Sequence, residues 1–185
     1  MSTPIVIVTG PPASGKSTLA SRLADDLALP SITKDGIKET LLDAAGEVGV
    51  EESKRLGRAA WAVLWHVLEA ELAARRSVLV EGNLSAVDAD PRLRRLADRF
   101  AFTALQVHCF APVDVLYERY EARIGERHPG HTDAARLPGL RDTLEADLYL
   151  LMFPQRTIGV DTTSFGEGEY VTLREQLRSS VGVAT

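Results

Sequence analysis

The chain is short of cysteine, of long apolar runs, of repeats and of positive charge, and each shortage removes a class of protein. Its 185 residues hold one cysteine, Cys109, so no internal disulfide framework is possible and a reducing, cytoplasmic setting is expected. That thiol lies in an apolar run, which predicts a buried structural side chain and not a reactive one. No stretch approaches the ~18 consecutive apolar residues of a membrane-spanning helix. The strand expected at 4–9 begins too early for a signal peptide to precede it. The formal net charge of −5 argues against broad electrostatic affinity for nucleic acid, although a local basic groove is compatible with it. What is left is a chain with 45% apolar residues and a mean hydropathy of −0.04. That composition suits one globular domain over 1–185, with a substantial core and no linker dividing it.

Against these absences stands one dense motif. Residues 10–17 read Gly10-Pro11-Pro12-Ala13-Ser14-Gly15-Lys16-Ser17, directly after the β-branched run Pro4–Thr9 and directly before a helical pattern from Ser17-Thr18 to Leu23. This is the phosphate-binding loop pattern GxxxxGK[ST] in its confirming strand–loop–helix context. Glycines at 10 and 15 permit dihedrals and close approaches that a Cβ forbids. The intervening N–H groups and the helix N-terminus then form an anion nest for phosphates. Lys16 is expected to bridge the β- and γ-phosphates, and the Ser17 hydroxyl to ligate Mg²⁺. The loop therefore predicts binding of a nucleoside triphosphate by residues 10–18.

Strands are expected at 4–9, 31–33, 77–82, 103–109 and 157–161. Helices are expected at 16–28, 36–45, 51–75, 91–99, 112–126, 133–151 and 170–181. Asp90-Pro91 and Ala111-Pro112 put proline in a first helical turn, Thr132-Asp133 offers a cap, and Gly46 and Gly182 are stops. Alternating strands and helices specify an α/β fold, a parallel sheet covered on both faces in three layers. Strands 77–82 and 103–109 read as apolar on both faces, as central parallel strands do. Ligands of such sheets bind beyond the carboxyl ends of the strands, which directs attention to the residues just after each one.

Three further groups stand at such positions. Asp35, after the second strand, is placed to accept the proton of an attacking hydroxyl, although an acid there also caps the next helix. Lys38, one helical turn on, suits an anionic substrate or solvent. At the end of the third strand, Glu81 is a candidate to order Mg²⁺-bound water, as is Asp35, and Asn83 a candidate substrate contact; a polar turn is the plain alternative. Arg119, Arg123 and Arg127, at i, i+4 and i+8, share a helical face ahead of His128-Pro129-Gly130-His131. Guanidinium groups closing over a nucleotide there would stabilise the charge of a transferring phosphoryl group, with the Pro-Gly loop as cover. Interleaved Glu118, Glu121 and Glu126 offer ordinary surface ion pairs instead. His128 and His131 lack the companions of a metal site. His66, Trp61 and Trp65 read as packed helix residues.

These features in this order resemble the small P-loop kinases related to adenylate kinase. The likeness is strongest to the AAA-type ATP-binding kinases, which include polynucleotide 5′-hydroxyl kinase domains, zeta-toxin-like kinases and chloramphenicol phosphotransferase. It rests on Gly-Pro-Pro-Ala-Ser-Gly-Lys-Ser-Thr-Leu-Ala, Lys-Asp-Gly-Ile-Lys, Val-Leu-Val-Glu-Gly-Asn and Glu-Arg-Tyr-Glu-Ala-Arg. The resemblance implies a five-stranded sheet in the order 2-3-1-4-5, a helical lid at about 119–135, ATP with Mg²⁺, a catalytic acid matching Asp35 and lid arginines matching Arg119 and Arg123. The chain departs from the polynucleotide kinases, which carry a doubled acid followed by arginine where this sequence has Asp35-Gly36 and Lys38. It also lacks the Asp-Gly-Phe-Pro-Arg string of adenylate kinases at 81–85. The expectation is an ATP-dependent phosphotransferase acting on a hydroxyl of a small molecule. Its rivals are a polynucleotide or nucleotide kinase and a nucleotide-binding module without phosphotransfer.

Overall fold

The computed structural model of the protein describes residues 2–126, 128–131 and 133–181. The β-branched run condenses into strand β1, Thr3–Thr9, at the centre of a five-stranded parallel sheet. Around it stand β2 (Ser31–Thr33), β3 (Val78–Glu81), β4 (Phe102–Phe110) and β5 (Arg156–Asp161), in the order β2-β3-β1-β4-β5. Every neighbouring pair is parallel.

Strand alternation divides the core into two layers. Val6 and Val8 point to the face covered by α1 (Lys16–Asp26) and α6 (Glu167–Val181), where they meet Leu19, Leu23, Leu173 and Leu177. Ile5 and Ile7 point to the face covered by α3 (Val50–Ala73) and α4 (Ala86–Ala97), where they meet Leu64, Leu68, Leu72 and Leu93. Leu23 and Leu64 are fully buried, and burial of such a side chain contributes roughly 1.5–3 kcal/mol. Helices α2 (Lys34–Ala45) and α5 (Val113–Ala122) complete the fold. Among the described residues no helix is long and apolar enough to cross a membrane.

Several expected boundaries move, each for a local reason. α4 begins at 86, five residues before the expected start. Its cap is Ser85, whose hydroxyl accepts from the Asp88 N–H at 3.3 Å. Pro91 is thus inside the helix, and the Asp90 carboxylate does another job. It accepts the Met152 and Phe153 amides at 2.9 and 3.0 Å and pins the approach to β5. α5 stops at Ala122, ahead of Gly125 at φ +90°. The helix expected at 133–151 is replaced by three short 3₁₀ turns, Ala134–Arg136, Arg141–Thr143 and Ala146–Tyr149. Pro138 followed by Gly139 at φ +82° breaks the helical ladder. Gln106 then claims backbone groups there. Its side chain, buried in β4, donates to the Tyr149 carbonyl at 2.8 Å and accepts from the Leu151 N–H at 3.2 Å. β4 therefore carries buried polar residues, Gln106 and His108, where a wholly apolar strand was expected. Gly46 ends α2 as expected, whereas Thr132 and Gly182 lie outside the described residues. His66 is exposed on α3 and not packed.

Candidate active site

The carboxyl ends of β1, β2 and β3 converge on one cleft of about 230 Å³. β1 delivers the phosphate loop. Gly10 has φ +154°, and a Cβ there would lie 2.2 Å from the Cys109 carbonyl oxygen and 2.8 Å from Ser14 Oγ. No other residue lets the loop turn so tightly against β4. Gly15, at φ +73°, serves as N-cap of α1 without a side-chain cap. The first helical N–H to reach a carbonyl around this cap is that of Leu19, onto Gly15 at 3.1 Å. The amides before it, on Lys16, Ser17 and Thr18, precede the helical ladder and suit an anion. Ser14 Oγ is buried without a hydrogen-bond partner among the described residues. An orphaned buried hydroxyl beside a row of amides is the mark of a loop shaped for phosphate oxygens. Asn83 supports this loop from outside, its amide donating to the Gly10 carbonyl at 2.8 Å. It lines the cleft as well, so its side chain is partly committed to the loop and not wholly turned to a substrate.

Lys16 is buried, with Nζ 3.4 Å from the Pro11 carbonyl and 4.0 Å from Glu81 Oε1. Burial pushes its pKa below the ordinary lysine value despite the nearby Glu81 and Asp35, and Arg123 pushes the same way. Glu81 is buried too, and burial raises its carboxyl above the usual range against the pull of Lys16. Both directions reflect charge held in a poorly solvated place. Ser17 Oγ donates to Glu81 Oε1 at 3.2 Å, so a buried carboxylate stands behind the hydroxyl that lines the cleft. This all-oxygen pair fits Mg²⁺, which is held by few protein ligands together with phosphates. Among the described residues no group of three or more His, Cys, Asp or Glu could hold an ion.

β2 delivers Asp35. The cap of α2 is Thr33, whose hydroxyl accepts from the Gly36 N–H at 3.2 Å, so Asp35 is not the capping residue. Its carboxylate faces the cleft, 2.8 Å from Lys34 Nζ. Lys38 is buried and donates to Ser53 Oγ at 2.9 Å, which in turn donates to the Gly130 carbonyl at 2.7 Å. The Pro-Gly loop is thereby joined to α2 and α3. Its histidines add to this: His131 Nε2 lies 2.8 Å from Glu39 Oε1, and His128 Nε2 lies 2.9 Å from Asp43 Oδ1.

The arginines separate. Arg123 caps α5 and lies in the phosphate cleft, its guanidinium 4.7 Å above the Tyr120 ring. Arg119 is elsewhere, donating to the Thr162 carbonyl at 2.9 Å and Thr162 Oγ1 at 3.2 Å. There it lines a different pocket, with Ala13, Gly15, Thr18, Phe165 and Tyr170. The expected shared face is therefore corrected, because the helix ends at 122 and the two side chains leave in different directions. Arg127 is outside the described residues. Tyr120, Asp133 and Arg136 also line the cleft, and the sequence marked none of them as a site residue. Arg136 falls within the helix expected at 133–151, which marks it only as a helix residue. The Tyr120 phenol is pushed up to about 12, mainly by burial and by Asp133. It stays protonated at neutral pH and donates to Asp133 Oδ1 at 3.0 Å.

A parallel 2-3-1-4-5 sheet with this loop at the end of β1 defines a small P-loop kinase fold. More narrowly, residues 5–146 match the AAA domain family, and the chain belongs to it. A candidate kinase from Chloroflexus aurantiacus is 34% identical, with 97% of this chain and 98% of that one covered and a TM-score of 0.87. A sugar kinase from Janibacter sp. is 21% identical over 99% of both chains, with a TM-score of 0.61. Kti12 from Chaetomium thermophilum, in complex with ADP-AlF3, is 17% identical over 98% of this chain and 100% of that one, with a TM-score of 0.70. The last two likenesses concern the fold alone. No curated protein sequence matches the chain.

Proposed function

We propose that the chain is an ATP-dependent phosphotransferase, one domain with a lid at about 119–135, that moves the γ-phosphoryl group to a hydroxyl of a small molecule. The observation that carries this reading is the meeting, in one cleft, of the phosphate loop, the carboxylate of Asp35 and the guanidinium of Arg123. A module that only bound nucleotide would need the loop but not an acid facing it.

In this reading the amides of residues 13–18 and Lys16 hold the phosphates, and the Arg119 pocket takes the base side of the nucleotide. Mg²⁺, held from Ser17 and Glu81, would supply charge neutralisation of the phosphates. Asp35 accepts the acceptor's proton as its oxygen forms a bond to the γ-phosphorus and the bond to the ADP oxygen breaks. Arg123 stabilises charge on the transferring oxygens. The docking of the Pro-Gly loop on α2 and α3 supports a closed cover that excludes water from the reaction.

The test is ADP release from ATP and Mg²⁺ in the presence of sugars, nucleosides, antibiotics and 5′-hydroxyl oligonucleotides. Stimulation well above the rate in buffer is expected for a small hydroxyl compound. Slow hydrolysis that no hydroxyl compound changes would make the chain a binding module.

A further inference from the structure

Asn83 lines the cleft and also a second chamber of about 340 Å³. α3 supplies Arg58, Trp61 and Trp65, which share a helical face at i, i+3 and i+7, and α4 supplies Asp88 and Arg92. The chamber's Trp61 approaches Lys34, the residue beside the proposed base Asp35. A Cβ on Gly82 would lie 2.8 Å from Trp61 Cη2 and 3.2 Å from Lys34 Cβ, so the indole and the stem of the lysine beside Asp35 meet over that backbone.

The pocket brings two arginines together with both indoles. On α3 Arg55 pairs with Glu52, and just beyond the ends of the two helices Arg76 pairs with Glu71 and Arg99 with Glu69, at 2.6–2.7 Å. Among the described residues Arg58 and Arg92 make neither hydrogen bond nor ion pair; Arg92 only lies 5.6 Å above the Trp65 ring. The one acid in the chamber, Asp88, accepts the Ser85 hydroxyl at 2.7 Å. Two guanidinium groups lining one pocket with two indoles suit a compact anion on a carbon skeleton. A neutral acceptor would leave both guanidinium groups unused. A long polyanion is disfavoured by the net charge of −5.

Building on the phosphotransferase reading, we infer that the acceptor is a small hydroxylated molecule bearing an acid group, a carboxylate or a phosphate. That group lies between Arg58 and Arg92, the skeleton rests on Trp61 and Trp65, and the hydroxyl points to Asp35.

The chain's two tryptophans are both in this chamber, so intrinsic fluorescence reports on it without any turnover. The wild-type protein, with ADP and Mg²⁺ present, is titrated with gluconate, glycerate, glucose 6-phosphate and glycerol 3-phosphate. The neutral parents glucose and glycerol and a 5′-hydroxyl oligonucleotide are titrated alongside. The expected result is a saturable change with acids and none with their parents. The two kinds of acid separate carboxylate from phosphate recognition. Arg58→Gln and Arg92→Gln should each weaken the response about tenfold to a hundredfold, as loss of a charge-assisted hydrogen bond does. Arg58→Lys should recover it only in part, and unchanged melting temperatures exclude misfolding. Equal response to neutral parents, saturation by the oligonucleotide alone, or no response to any acid overturns the inference. Calorimetric titration of ADP into the wild-type protein separates the two readings. ADP binding without an acid response defeats the acid-acceptor inference alone, and failure to bind ADP defeats the phosphate-loop reading beneath it.

Discussion

Asp35→Asn separates chemistry from architecture, because Thr33 and not Asp35 caps α2 while the proposed function makes Asp35 the base. Thr33 caps α2, so the substitution removes no cap. It removes a charge at the second residue of a helix, where the dipole interaction is worth about 0.3–1 kcal/mol. It also removes a partly exposed ion pair to Lys34, with Asp35 28% exposed. Such pairs contribute no more than about 1 kcal/mol after solvent screening. The stability loss should be about 1 kcal/mol, which for a chain of this size lowers Tm by roughly 2–4 °C. The catalytic loss is of another order. A positioned base contributes typically about 10²–10⁴-fold, or about 2.7–5.5 kcal/mol of barrier at ~1.36 kcal/mol per decade. The assay is kcat at saturating ATP and acceptor, with the acceptor taken from the screen, next to calorimetric ATP affinity and a melting curve. A fall in kcat of at least about 10² with ATP affinity nearly unchanged is expected. Near-normal turnover with a several-degree loss of Tm would refute the base assignment and leave Asp35 a structural residue.

Other outcomes follow from the same geometry. Lys16→Met, which keeps the buried stem against Glu81, should fold normally and lose about 10²-fold or more of phosphotransfer; wild-type turnover at saturating ATP would contradict this. Arg123→Ala should lower kcat, since Arg123 lines the phosphate cleft, whereas Arg119→Ala should chiefly raise the ATP KM, since Arg119 lies in the pocket with Thr162 and Tyr170. Identical kinetic signatures in both variants would show that the two pockets do not divide the labour. Glu81→Gln should raise the Mg²⁺ concentration for half-maximal activity, and an unchanged Mg²⁺ dependence would remove Glu81 from the ion's surroundings. The Cys109 thiol, fully buried and pushed up to about 12 by burial, should resist alkylation at neutral pH in the native protein and react once denaturant unfolds it. Rapid native modification would contradict the packing of β4 against the phosphate loop.

The parts of the fold legible in the sequence are those set by local chemistry. β1, the loop at 10–17 and α1 were readable because β-branched residues, glycines and a following helical period act within a dozen positions. Glu81 and Asp35 were singled out because ligands gather beyond strand ends, and the structure sets Glu81 against Lys16 and Ser17 and puts Asp35 in the cleft. The misread parts depend on distant partners. The stretch 133–151 has helical spacing, yet Gln106 of β4 takes its backbone groups and Pro138-Gly139 breaks its ladder. Asp90 looked like a residue before a helix-starting proline, and its role became visible only once Met152 and Phe153 were brought to it. Arg136 entered the cleft unannounced, because nothing in Ala134-Ala135-Arg136 marks a chain folding back over the phosphate loop. The division of Arg119 from Arg123 turned on where α5 stops, and helix ends are the least certain feature of a periodic pattern.

The central claim is that this cleft carries the γ-phosphoryl group to a hydroxyl and not to water. Phosphorus NMR follows that group directly, in a reaction of ATP, Mg²⁺ and the stimulating acceptor with wild-type protein and with Lys16→Met. The account predicts that the γ-phosphorus signal is replaced by a phosphate-ester signal growing in step with ADP, and that Lys16→Met forms the ester about 10²-fold more slowly or worse. Release of the γ-phosphorus only as inorganic phosphate, with no ester from any acceptor, would contradict it.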